Sequence, residues 1–424
     1  MTSRRHFLGR IAEGSLGLAI LPGAELFGKS APHSRPPRAP AAPDEEYWRQ
    51  VKAQFALRDD YLPLNSANLC PAPRSVVDAV ASAMRDIESD VSFQNRAKYD
   101  ALREDVRAGL AAYFNVTADE IAIVRNTSEG NNTIVGGVPL VRGDEVVLFD
   151  QNHPTNSVAW DVRAARDGFT VRRVAIDGTI ASPEEIVDRF ANAISPRTRV
   201  LSFSDVSNST GIRMPARELC TMARSRDIHV HIDGAQTWGA LVRDLRDIGC
   251  DSYAASAHKW FMGPKEAGVL FVRSERIPTI DPNIVGIGWG NTAETTATGA
   301  RKFETLGQRN DAVLAALATA LEFHELIGPA AIDARLLELA RALKNGLAAM
   351  PGAHIVTPSP DVLSAGVVVA RFDGADARTL FDRLYTQHHI AAAPTGGLRL
   401  SPHVYVTLAD VERTLEAVAS TLRA

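Results

Sequence analysis

The chain has 424 residues, enough for two domains and a large core. Its 45% hydrophobic and 23% charged residues are ordinary for a soluble globular protein. A formal net charge of −4 offers no basic face for nucleic acid, and beyond the N-terminal region no apolar run is long enough to span a bilayer.

Residues 1–31 read as a unit apart from the fold. Ser3-Arg4-Arg5-His6-Phe7-Leu8 precedes a weakly apolar stretch from Ile11 to Phe27, then Lys29-Ser30-Ala31. This resembles a twin-arginine (Tat) export signal, and Glu13 and the glycines weaken the apolar stretch in a way that suits Tat better than Sec. The resemblance implies recognition by the Tat machinery and delivery, already folded, to the periplasm. Residues 32–44 are Pro/Ala-rich without packing periodicity, which predicts an extended or disordered linker.

Short apolar runs then alternate with amphipathic helical stretches and no repeat, the pattern of an α/β fold. Ile121 to Arg125 predicts a strand, and Asn126-Thr127-Ser128-Glu129-Gly130 opens a helix whose start is capped by Ser or Thr. The free N–H groups at such a start form an anion site. Glu145 to Phe149 predicts a strand ending in Asp150-Gln151-Asn152-His153-Pro154, and Arg199 to Phe203 another, followed by Ser207-Asn208-Ser209-Thr210-Gly211. His229 to Ile232 is a strand ending on Asp233, with Gln236 next; a further strand-like run leads to Ser256, His258 and Lys259, then Gly263-Pro264. Loops leaving the carboxyl ends of strands are where open α/β sheets collect ligands. A carboxylate at a strand end and a lysine in a neighbouring small-residue loop are the two groups pyridoxal phosphate requires. The lysine forms a Schiff base with it, and the carboxylate keeps its pyridine nitrogen protonated.

Beyond about Asp311 the pattern changes to long helices. Ile332, Leu336, Leu339, Leu343 and Leu347 share one face of a helix near Pro329 to Met350. A strand near Val367 to Phe372 and a helix from about Asp376 to His388 follow, and Thr407-Leu408-Ala409-Asp410 is a capping box opening the last helix. Cys70, Cys220 and Cys250 are an odd, sparse set that argues against a disulfide framework and predicts buried free thiols.

The order Asp233, Gln236, Ser256, His258, Lys259, Gly263-Pro264 resembles the class V aminotransferase family, which includes cysteine desulfurases and isopenicillin-N-epimerase-like proteins. The resemblance implies the PLP-dependent transferase fold, aspartate aminotransferase-like (fold type I). That fold has a large, mainly parallel sheet domain of the seven-stranded type over 45–310, including an N-terminal substrate-loop segment, and a smaller α+β domain over 311–424. It implies pyridoxal 5'-phosphate as cofactor and a homodimer. Thr127 and Ser128 would take the phosphate, together with Ser256 and His258; His153 would stack on the pyridine ring and could move a proton. Asn208 and Gln236 would reach the phenolic oxygen, Asp233 the ring nitrogen, and Lys259 would form the Schiff base. The family places a Gly-Thr pair from the partner subunit on the phosphate; here Gly307-Gln308 stands instead, so Gln308 is the candidate. Gly397 to Tyr405 resembles the motif in which an arginine holds the substrate carboxylate, making Arg399 that group, with His403 and Tyr405 shaping the pocket. Asn65 and Asn68 lie where the family has its substrate loop.

No cysteine follows Cys250, so the nucleophilic cysteine of the family's desulfurases has no counterpart. The resemblance implies an amino acid, or the amino-acid moiety of a secreted metabolite, as substrate. Transaminase-like chemistry is the first expectation, a C–S or C–C lyase the second and epimerisation the third; a catalytically inactive binding module is the non-enzyme alternative.

Overall fold

A seven-stranded sheet forms the centre of the protein, which is seen here as a computed structural model that describes residues 36–177, 180–286 and 297–423. The strands in chain order are β1 (Leu62–Pro63), β2 (Ile121–Val124), β3 (Glu145–Phe149), β4 (Thr170–Val174), β5 (Thr198–Ser204), β6 (His229–Asp233), β7 (Ser252–Ser256), β8 (Gly268–Val272), β9 (Ala353–Ile355), β10 (Val368–Phe372), β11 (Ile390–Ala391) and β12 (Leu398–Leu400). The helices are α1 (Glu45–Lys52), α2 (Arg74–Ser89), α3 (Phe93–Phe114), α4 (Thr127–Gly137), α5 (Val158–Asp167), α6 (Pro183–Ala193), α7 (Ala216–Arg224), α8 (Leu245–Ile248), α9 (Ala312–Ile327), α10 (Pro329–Ala348), α11 (Ala377–His388) and α12 (Leu408–Arg423).

The large sheet runs β2-β8-β7-β6-β5-β3-β4. All neighbours pair in parallel except β8, which is antiparallel to both β2 and β7. Strands β2, β3, β6, β7 and β8 are buried along their whole length, as expected of strands covered by helices on both faces. The edge strand β4 instead carries Arg172 and Arg173, charges that discourage pairing with another sheet. In the ladder Asp233 lies level with Ser204 on β5 and Ala254 on β7, so three strand ends share one rim. Helix α4 lies close on this sheet because residue 130 is glycine; a Cβ there would stand 2.7 Å from the Ala254 Cβ.

A second core surrounds the antiparallel sheet β12-β10-β9. Ile332, Leu336, Leu339, Leu343 and Leu347 bury one face of α10 in it. Asp376 caps α11, accepting from the Thr379 N–H at 2.8 Å. The Thr407–Asp410 box at the start of α12 is reciprocal: Thr407 N–H donates to Asp410 Oδ2 at 2.9 Å and Asp410 N–H to Thr407 Oγ1 at 3.1 Å.

The cores cross the boundaries drawn from the sequence. Tyr47, Trp48, Val51, Phe55, Leu62 and Leu64, expected within the large unit, share the second core, and β1 pairs in parallel with β11. Helix α9, expected in the small unit, packs Leu314, Leu317 and Leu321 into the core under the large sheet beside α2 and α3. Both follow from docking between segments distant in the chain, which local periodicity does not encode. The end of the linker is extended and held: Ala39 N–H donates to Leu326 O at 3.1 Å, and Pro37 O accepts from the Tyr47 hydroxyl at 3.2 Å. The Tat-like segment 1–31 lies outside the described residues. All three cysteines are free and buried, and among the described residues no single helix is long and apolar enough to cross a membrane.

Candidate active site

The rim formed by the ends of β5, β6 and β7 gathers the sequence candidates. Asp233, 3% exposed, closes β6. Its Oδ1 accepts from the Ala235 N–H at 3.0 Å and its Oδ2 from Asn131 Nδ2 at 2.9 Å. No arginine, lysine or histidine among the described residues makes an ion pair with it within 4 Å, so this buried carboxylate is held by neutral donors alone. Lys259 lies in the turn after β7. Burial pushes its ammonium below the ordinary lysine range; Asp233 opposes the shift and Arg399 adds to it. The amine therefore gives up its proton more readily than a surface lysine.

His153 caps a single 3-10 turn, its Nδ1 bonded to the Thr155 hydroxyl at 3.0 Å. Burial lowers its pKa, Asp233 raises it and the charge of Lys259 lowers it again. Asp233 and Lys259 both lie near enough to His153 to act on its charge.

At the start of α4 the structure corrects the expected cap. Asn126, not Thr127 or Ser128, is the capping residue, its Oδ1 accepting from the Glu129 N–H at 3.0 Å. Asparagine caps as well as serine does, and here it occupies the residue just outside the helix. Thr127 is then the first helical residue: its N–H donates to Ser256 Oγ at 2.8 Å, and the two hydroxyls meet at 2.6 Å. The exposed Ser128 carries its N–H to the same helix end. His258 follows Ser256 by two residues, and burial with the charges of Lys259 and Lys265 pushes it down to about 4. A helix N-terminus with two hydroxyls and a neutral imidazole is a donor set for a dianionic phosphate.

On the opposite side Arg399, 4% exposed on β12, reaches back toward the large sheet. Nη1 donates to Asn208 O and Nη2 to Asn65 Oδ1, each at 2.9 Å, and the buried Nε has no partner. Burial draws its guanidinium down to about 10. Asn208 thus meets Arg399 through its backbone. Gln236 is more constrained than expected: its Oε1 accepts from Trp260 Nε1 at 2.7 Å and its Nε2 donates to Ala67 O at 2.9 Å, leaving one amide proton for anything else.

Two candidates stand apart. Gln308 is exposed, its Oε1 accepting from Arg96 and its Nε2 donating to Arg309 O, with no contact to the α4 end within this chain. Asn68 is exposed in the turn after Asn65. His403 and Tyr405 are fully buried behind the lysine turn, where His403 Nε2 donates to Trp260 O at 2.8 Å and Tyr405 meets Ser66 Oγ at 2.8 Å. Two residues went unnoticed in the sequence, Asn131 and Thr155, because nothing local marks an asparagine on a buried helix face as the partner of a carboxylate 102 residues away.

The donor sets fit pyridoxal phosphate. A buried carboxylate whose hydrogen bonds come from neutral donors suits a protonated ring nitrogen, the α4 end suits a phosphate, and a lysine of depressed pKa suits a covalent anchor.

Residues 64–415 match the family described as aminotransferase class-V. The isopenicillin N epimerase of Streptomyces clavuligerus is 30% identical over 387 residues, covering 88% of this chain and 97% of that protein. Among solved structures, the cysteine desulfurase CsdA of Escherichia coli superposes with a TM-score of 0.78 at 26% identity, covering 89% of this chain and 98% of its own. A cystine C–S lyase, C-DES, solved with its product cysteine persulfide, gives 0.78 at 25% identity, covering 85% and 97%.

Proposed function

The chain belongs to the aminotransferase class V family and is an enzyme dependent on pyridoxal phosphate; from that premise we propose that it moves the α-proton of an amino-acid substrate by means of Lys259. The observation that carries this reading is Lys259 in the turn after β7, beside the rim that holds the buried carboxylate Asp233, with Asp233 and the buried Arg399 near enough to act on its charge. Pyridoxal phosphate, when bound, supplies an electron sink that acidifies the Cα–H bond of an attached amine. Lys259, deprotonated at neutral pH more readily than an ordinary lysine, takes that proton as the base. Arg399 holds the α-carboxylate with the N–H groups left after Asn65 and Asn208. With the cofactor bound, Asp233 would hold the ring nitrogen, and Thr127, Ser128, Ser256 and His258 would hold the phosphate.

The destination of the proton sets the product. Transaminase-like turnover, the first expectation from the sequence, yields a keto acid. The epimerase relative, similar over nearly its whole length, favours return of the proton to Cα with inversion. Persulfide chemistry has the least support: the three cysteines are buried, and burial pushes the thiols of Cys70, Cys220 and Cys250 up. Incubation of the loaded enzyme with D- and L-amino acids and amino-acid-bearing peptides in deuterated water separates these outcomes. Keto acid supports transamination when its amino group appears on an added keto acid, or a lyase when it appears as ammonia, and deuterium at an inverted Cα supports epimerisation. Absence of both, with no Cα exchange in any substrate, would overturn the proton-transfer reading.

We further propose that residues 1–31 direct Tat export to the periplasm and that the enzyme works there as a homodimer on the amino-acid portion of a secreted metabolite. The S-R-R-x-F-L core supports export, export in turn supports a secreted substrate, and the family resemblance supports the dimer. Replacement of Arg4 and Arg5 by lysine should keep the protein in the cytoplasm, and a periplasmic fraction unchanged by that replacement would refute the export route.

A further inference from the structure

The face of β6 that carries Asp233 also carries His231 and His229 at alternate positions, and all three are buried beneath α4. Buried polar side chains need partners, and here they form one continuous chain. His229 Nε2 lies 3.0 Å from Ser252 Oγ, and Ser252 Oγ lies 2.9 Å from His231 Nδ1. His231 Nε2 lies 3.0 Å from Asn131 Oδ1. Asn131 Nδ2 lies 2.9 Å from Asp233 Oδ2 and 3.2 Å from Thr155 Oγ1, which in turn bonds His153 Nδ1.

The proton positions follow from the carboxylate. Asp233 can only accept, so Asn131 must turn its NH2 toward it and its carbonyl oxygen toward His231. His231 then carries its proton on Nε2 and accepts at Nδ1 from the Ser252 hydroxyl, which accepts from His229 Nε2–H. The second Asn131 N–H goes to Thr155, whose hydroxyl donates to His153 Nδ1 and leaves the His153 proton on Nε2. One polarity satisfies every hydrogen bond along the chain, and the reverse would set two oxygens against each other at Asp233. Burial pushes His229 down to about 4 and His231 to about 3, so both imidazoles are neutral, as this arrangement requires.

We propose that Asn131 is a positioning residue: locked by the His229–Ser252–His231 chain, it fixes the carboxylate of Asp233 toward the cofactor ring nitrogen and, through Thr155, selects the Nε2–H tautomer of His153. This rests on the assignment of Asp233 and His153 to the cofactor ring. Without the Asn131 donor, Asp233 keeps only the Ala235 N–H and competes harder for the proton it shares with the ring nitrogen.

The test uses purified full-length holoenzyme loaded with pyridoxal phosphate labelled with 15N in the ring, and Asn131→Leu, Ser252→Ala and Thr155→Val. In the wild type the ring-nitrogen resonance should be that of a protonated pyridine. In Asn131→Leu it should move toward the neutral position, with the cofactor dissociation constant raised on the order of tenfold, the effect of one lost hydrogen bond to a charged group. Ser252→Ala should move both in the same direction by less. Thr155→Val should leave the ring nitrogen in place and loosen only the hold on the His153 tautomer, leaving the 3.4 Å bond from the residue-155 N–H to Nδ1, as read from 15N-histidine spectra. Wild-type resonance and affinity retained in both Asn131→Leu and Ser252→Ala would overturn the proposal, and Ser252→Ala alone decides if Asn131→Leu does not fold. A wild type that takes up no cofactor would refute the site assignment itself, an outcome distinct from either.

Discussion

Arg399 offers the most direct quantitative check on substrate binding. Its guanidinium has five N–H groups, and the protein engages two, at Asn208 O and Asn65 Oδ1. The buried Nε and one proton on each terminal nitrogen remain, enough for a bidentate grip on a carboxylate. Two charge-assisted hydrogen bonds in a site this buried contribute about 3 kcal/mol, or roughly 100-fold in affinity. The assay is a spectral titration of loaded enzyme with L-alanine and with ethylamine, which lacks the carboxylate. The wild type should bind alanine roughly 100-fold more tightly than ethylamine after correction for amine basicity, and Arg399→Ala should bind the two nearly alike. Arg399→Lys should recover little, because an ammonium cannot reproduce the planar fork. An alanine preference that survives in Arg399→Ala would refute the assignment of the carboxylate to this arginine.

Three further outcomes follow from the packing and the buried charges. Arg243 grips Asp205 through Nε at 2.7 Å and Nη2 at 3.0 Å, both side chains buried, so Asp205→Ala should lower unfolding free energy by about 3–5 kcal/mol in denaturant titrations. Loss under 1 kcal/mol would show that the pair is solvated. His229, His231, His324 and His403 are held neutral by burial, with pKa values depressed to about 4, 3, 4 and 3. Their unfolded forms bind protons first, so stability is full above about pH 6.5 and falls as the pH drops toward 4, by up to about 1.4 kcal/mol per pH unit for each histidine. A stability profile flat from pH 7 to 5 would contradict this. Gly130→Ala places a methyl 2.7 Å from Ala254 Cβ, lifting the start of α4, and should weaken pyridoxal phosphate binding more than it lowers the melting temperature; unchanged cofactor affinity would separate that helix from the phosphate.

What the sequence made legible was local. The short β-rich runs His229 to Ile232 and Arg199 to Phe203 read as strands because β-branched and aromatic residues suit the buried sheet they enter, and the Thr407–Asp410 box read correctly because four residues contain the whole motif. Misplaced features depended on distant partners. Thr127 looked like a cap because hydroxyls often are, yet its hydroxyl is drawn to Ser256 from across the sheet. Gln236 looked free for a ligand, yet Trp260 and Ala67 hold both ends of its amide. Asn131 carried no sequence signal, since its partners lie on β6 and in the turn after β3. The docking of Tyr47 to Leu64 onto the C-terminal core is the same effect at larger scale.

The central claim is that Lys259 anchors pyridoxal phosphate. The measurement is borohydride reduction of the loaded enzyme followed by peptide mass mapping, beside Lys259→Ala. A Lys259 anchor gives a visible band that reduction abolishes and a phosphopyridoxyl adduct on the peptide containing Lys259, both missing from the variant. A colourless protein that takes up no cofactor, or an adduct on another lysine, would contradict it.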